Sequence, residues 1–296
     1  MTQQVPDWIH QGRGSTPNVD WTVTTEAPLV AMQMGRETGE VLVADEAGGL
    51  YLINRGGQIS RISRGPSPIR AIAWGDTGGG GIALVGKRTL YWFNRALKFD
   101  KKIVLSTRAL NLALDAHAEY AVVSLDGGQN LIFDSPRKPI REFRTHQPLA
   151  HLEFLVREPA IFGVSAYGMF YRFNFQGREI WGENLWSDVG GLSVSGNGST
   201  ILLACFAHGI QRYKGNGESD GSYQLGETVS RISSSFNPYR MMAATVEQQL
   251  CWLDFQGQLL WSAATPHKTV AIQCDPLGYG AVCGFDSGQV LRLTWD

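Results

Sequence analysis

Cysteine is scarce in this chain, and none sits where cysteine chemistry would need it. Cys205, Cys251, Cys274 and Cys283 are the only four, no two form a C-x-x-C pair, and all lie in apolar strand-like runs. They read as reduced, buried thiols, with a Cys274–Cys283 bridge as the alternative. No apolar run approaches the 18 residues of a membrane-spanning helix. Charge of one sign is also missing: the formal net charge is −1, which gives no electrostatic reason to expect nucleic acid or membrane insertion. The opening MTQQVPDWIHQGRG has no basic stretch followed by an apolar core, so no signal peptide is expected and a cytoplasmic location is. No window sustains the 3.6-residue period of a helix. The motifs G-x-S-x-G, S-x-x-K and the P-loop are absent, and Gly78–Gly81 reads as a hairpin loop between strands rather than a phosphate cradle. None of the six histidines has H-x-H or H-E-x-x-H spacing, so no metal site is expected.

What the chain does have is glycine, 35 residues of it in 296, and a repeat. In QQLCWLDFQGQLLWSA, Leu250–Leu253 and Leu259–Trp261 read as strands around Asp254-Phe255-Gln256-Gly257. There the Asp side chain caps the backbone two residues on, and Gly257 supplies the positive φ that closes the turn. Shifts of 40 residues find the unit again, as in Asn174…Gly177…Trp181 and Asn54…Gly57. Seven copies result, whose fourth strand position is always large and apolar: Ile53, Phe93, Phe133, Phe173, Tyr213, Leu253 and Leu293. Upstream of each lies a continuously apolar strand such as Val41–Ala44, of the kind buried on both faces. Before that comes a strand rich in small residues, for example Leu29–Met32 or Val189–Val194.

Four strands per unit, seven times, predict an all-β, seven-bladed β-propeller with four antiparallel strands per blade. The small-residue strand lies innermost, where side chains near the axis have least room. The last unit, 269–296, lacks its fourth strand, and residues 20–26 (DWTVTTE) supply it, closing the ring and removing an open edge. This makes 17–296 a single propeller. Residues 1–16, with Pro6, Gly12 and Gly14, form an extended N-terminal arm whose Val5, Trp8 and Ile9 fold back on the propeller or dock on a partner.

Asp254-x-x-Gly257-x-x-x-Trp261 and Asn174-x-x-Gly177-x-x-x-Trp181 resemble the turn-plus-tryptophan of the WD-repeat and quinoprotein-like propellers, over residues 17–296. The resemblance implies that the Trp stacks between neighbouring blades. Trp21, Trp181 and Trp261 hold that column, while Gly-His and Trp-Asp dipeptides are missing from the WD-repeat positions. The eight blades and vicinal cysteines of true quinoprotein dehydrogenases are missing too, so no redox cofactor is expected.

Candidate binding residues fall in two places. The loops entering the innermost strands carry Arg70, Arg108, His146, Trp186 and His267, and those joining strands two and three carry Tyr167, Phe206 and His208; on a propeller these loops share one face. Such a mixed, aromatic surface suits protein contacts. On the innermost strands one column reads Ala31, Ala71, Asn111, His151, Gly191, Arg231, Ala271, and Glu153 lies two residues beyond His151. Asn111, His151, Glu153 and Arg231 could hold a ligand carboxylate or phosphate, or equally bond one another and line a water channel. A basic excess between Lys87 and Arg144, including Lys101, Lys102, Arg137, Lys138 and Arg141, reads as a solvated edge or a strip for an acidic partner. The leading expectation is a non-enzymatic scaffold for protein partners. A small anionic-ligand binder or hydrolase at the channel mouth is the alternative, and a structural subunit of a larger assembly the third.

Overall fold

The computed structural model describes residues 6–134, 139–156, 158–237 and 239–295. Seven antiparallel sheets ring a central channel. The innermost strands are Leu29–Met34, Ile69–Gly75, Ala109–Leu114, Leu149–Phe154, Val189–Val194, Val229–Ser234 and Thr269–Cys274, and they define blades one to seven. In blade seven the fourth strand is Asn18–Thr24, paired with Gln289–Thr294 in the register Val23↔Val290. The chain's first long strand thus closes the ring, as the repeat arithmetic requires.

The second strand of each blade explains its unbroken hydrophobicity. Apolar side chains form seven clusters, one between each pair of adjacent blades. Alternate residues of Val41–Asp45 enter different clusters. Val41 and Val43 pack toward blade seven, and Leu42 and Ala44 toward blade two. A strand sandwiched between two interfaces has no solvated face, so its few polar residues, such as Asp45 and Ser124, are buried near its end.

The turns form by the chemistry of their first residue. Asn54, Asn94, Asn174 and Asp254 each accept two backbone N–H groups through Oδ1, two and four residues on, at 2.8–3.2 Å. Turn glycines also make room. A Cβ on Gly57 would lie 2.3 Å from Trp21, one on Gly177 2.8 Å from Phe143, and one on Gly257 2.1 Å from Tyr223. In each case an aromatic of the preceding blade's outer strand lies over the next blade's turn. Gly257→Ala is therefore expected to cost about 2–4 kcal/mol, from left-handed backbone strain plus overpacking. Gly127→Ala, with φ of 82° and nothing within 4 Å, isolates the strain alone, about 1–2 kcal/mol. Denaturant unfolding of both variants measures the difference, and equal losses would refute the packing role.

Residues 7–10 depart from the helix-free expectation. Asp7–His10 form one helical turn after Pro6, too short to leave a periodic signal, and Arg13–Gly14 add a fifth strand to blade six by pairing with Ser262 and Trp261. Ile9 is buried and Trp8 lies 6.3 Å from the Trp261 ring. Val5 lies outside the described residues.

Candidate functional site

Every innermost strand carries a β-bulge at the same place. Its register shifts between Leu29 and Ala31, Ile69 and Ala71, Ala109 and Asn111, and likewise in the other four blades. A bulge leaves one residue out of the ladder and its backbone groups in need of partners. The polar column supplies them across the blade junctions. Asn111 Nδ2 donates to the Ala150 carbonyl at 2.5 Å, and the His151 ring bonds the Val189 backbone. Arg231 reaches both ways, with Nε on the Val270 carbonyl at 3.3 Å and Nη1 on the Gly190 and Ser230 carbonyls at 3.1 and 2.8 Å.

Two positions further along the strand, a second column does the same work. Gln33 accepts the Trp74 N–H at 2.8 Å, Glu153 that of Val194 at 3.0 Å, Ser193 that of Ser234 at 3.0 Å and Ser233 that of Cys274 at 2.9 Å; Gln273 accepts that of Met34. Five of seven junctions are stapled by one repeated bond, and only Ala73 and Ala113 break the pattern. Reading that column beside the first would have found it. Glu153 is thereby committed elsewhere than Arg231. Its other oxygen pairs at 2.7 Å with Arg36, which reaches it from the loop that follows blade one's innermost strand. The four polar residues share one channel, yet Glu153 and Arg36 sit toward one end while Asn111, His151 and Arg231 lie toward the other. The channel encloses about 680 Å³. His151 is held down to about 4, first by burial and then by the Arg231 charge, so it is neutral at physiological pH.

The loops at the Arg231 end are knit into one surface, here the upper face. In six blades the residue just after the second strand donates its N–H to a loop carbonyl before the innermost strand, as in Glu46 to Pro28, Asp126 to Arg108 and Phe206 to Asp188. On blades four and five this network carries the aromatics. Val189 N–H bonds the Ala166 carbonyl, Leu185 N–H bonds Gly168, and the His208 ring bonds the Trp186 carbonyl at 3.3 Å. Tyr167, Trp186 and Phe206 therefore stand on three loops, of which the middle one, 185–189, bonds both others, and they are 70%, 88% and 43% exposed. Arg70, Arg108, His146 and His267 are exposed on the same face, with no side-chain bond among the described residues. The six histidines do not gather: among the described residues no three of His, Cys, Asp or Glu come together as a metal would require. All four cysteines are free and buried, and burial pushes the Cys205 thiol up to about 11 and those of Cys251 and Cys283 up to about 12.

The tryptophan column behaves as blade geometry. Trp21 and Trp181 donate their indole N–H to the next blade's turn, at Arg55 and Gly215. Trp261 is instead enclosed by Trp8 and by Trp295, whose ring stacks on Trp252 at 4.4 Å. The basic strip stays exposed on the outer strands at Lys101, Lys102, Arg141 and Arg144, while Arg137 and Lys138 lie outside the described residues. No helix among the described residues is long and apolar enough to cross a membrane.

No protein-family profile matches the chain, and no curated protein matches it. Among solved structures it is similar to the β-propeller domain of Cps50 (Swd1) from Myceliophteria thermophila. The TM-score is 0.78 at 13% identity, over 95% of this chain and 100% of that one. The likeness is one of fold, a β-propeller, which in this chain is all-β and seven-bladed.

Proposed function

We propose that the protein is a non-catalytic scaffold that binds a protein partner through the aromatic patch on the upper face of blades four and five. The observation that carries this reading is Trp186, whose indole is almost wholly in solvent although its backbone is fixed by neighbouring loops. Large aromatics on a preorganised surface cost little entropy to bury and dominate interface energies. Tyr167 and Phe206 extend the patch, and His146, His208 and Asp188 give it a polar rim. Elsewhere in the ring, the polar residues facing the axis are largely engaged in joining blades, which leaves little for catalysis.

The test is comparative affinity isolation from the native cell with the natural chain and the Trp186→Ala/Tyr167→Ala double variant. Proteins retained by the former are expected to fall at least tenfold with the latter, since hot-spot truncations cost about 2 kcal/mol or more. Both chains should melt alike, because neither side chain is buried. An unchanged set of retained proteins would remove this face from consideration.

A further inference from the structure

The channel is polarised along its axis. The two side-chain positions at each bulge, taken round the ring, include Arg70 and Arg231 and no carboxylate. Acidic groups line the same cavity only toward the opposite end: Glu37, Asp76, Asp115, Glu119, Glu153 and Glu158. Of these Glu153 is paired with Arg36, and the Asp76 carboxylate is spent on the 35–38 turn. Arg231 has no ion-pair partner among the described residues. Its guanidinium is pinned at Nε and Nη1 by three carbonyls from three blades, which leaves Nη2 without a partner among the described residues. A half-buried cation held by neutral acceptors alone lacks a counter-charge in the place where one is worth most. Around it the ring is small, with Ala31, Ala71, Gly190, Gly191 and Ala271 lining the cavity. Arg70 lines it too, exposed and with no side-chain bond among the described residues.

We propose that this half of the channel binds a small molecule bearing a phosphate or carboxylate group, with Arg231 as a fixed cation donating through Nη2 and Arg70 as a second cation. The carbonyl bonds hold the guanidinium plane in place before the ligand arrives, so little side-chain entropy is lost on binding. Asn111, with both amide atoms already bonded, shapes the wall and does not contact the ligand. The site adjoins the aromatic patch at Gly190, beside which the Phe206 ring lies, but its recognition of an anion does not depend on the patch binding a protein.

Inorganic phosphate and citrate serve as probes at constant ionic strength, read by calorimetry and by the His151 ring resonances in NMR. At least one anion is expected to bind saturably and to move the His151 signals, because His151 feels the Arg231 charge. Response to phosphate alone or citrate alone identifies the group recognised. Arg231→Gln should weaken binding at least tenfold and Arg70→Gln about threefold, while Lys101→Gln/Lys102→Gln on the outer strand should leave it unchanged. If loss of the carbonyl staples unfolds Arg231→Gln, Arg231→Lys keeps the charge and removes the fixed Nη2 donor, and should still weaken binding severalfold. Absence of saturable binding by either probe, or unaltered affinity in the Arg231 and Arg70 variants, would overturn the proposal.

Discussion

Trp21→Ala is expected to lose about 3–5 kcal/mol of stability, which for a chain of this size lowers the melting temperature by on the order of 10 °C. Trp21 is 4% exposed and packs among Val41, Val43, Ile53, Val282 and Val290, residues drawn from blades one and seven. Its indole N–H reaches the Arg55 carbonyl at 3.2 Å, and its ring lies over Gly57. The truncation thus leaves a cavity and an orphaned carbonyl at one place, the junction that joins the two ends of the ring. Every junction is crossed by the covalent chain, this one between residues 24 and 29, but here the crossing starts from the strand whose pairing with Gln289–Thr294 completes blade seven and closes the ring. Hydrogen exchange should therefore show opening concentrated in blades seven and one. Trp181→Ala is the control, since that side chain makes the same indole bond to Gly215 at 3.1 Å but lies in mid-ring and is less buried. If the two variants lose equal stability and open equally, closure by the N-terminal strand carries no special weight.

The repeat was legible because each blade spends the same residues on the same local problem. Asn54, Asn94, Asn174 and Asp254 cap their own turns, an interaction confined to five residues. Such local chemistry leaves a column in the sequence. The role of Arg231 was not legible in the same way. Its identity could be read, as could its place near the axis, but its partners are carbonyls freed by bulges in three blades, and a bulge among alanines and glycines has no residue signature. Arg36 is the extreme case: its partner Glu153 is 117 residues away and across the ring. The upper-face residues follow from loop order alone, and what the sequence could not rank was exposure. Trp186 and Trp181 lie five residues apart, one standing in solvent and the other donating to Gly215, and only packing tells them apart.

His151 makes stability fall as the solution is acidified. Its folded-state value is pushed down to about 4, by burial first and by the Arg231 charge second, against an ordinary value of 6.5. Below about pH 6.5 the unfolded chain takes up a proton that the folded chain refuses, so unfolding gains free energy as pH falls and the contribution is spent near pH 4. A gap of that size is worth up to about 3 kcal/mol. His151→Gln keeps a donor within reach of the Val189 backbone and removes the titration, so urea unfolding between pH 7 and pH 4.5 should show a shallower loss than the natural chain. Carboxylates elsewhere, Glu153 among them, titrate in both proteins and cancel in the comparison. Arg231→Gln tests the second cause: with the neighbouring charge gone His151 moves back toward its ordinary value, and part of the acid sensitivity disappears although the histidine remains. Parallel losses in all three proteins would mean that His151 is protonated as freely in the folded ring as in the unfolded chain, and that Arg231 does not set its charge.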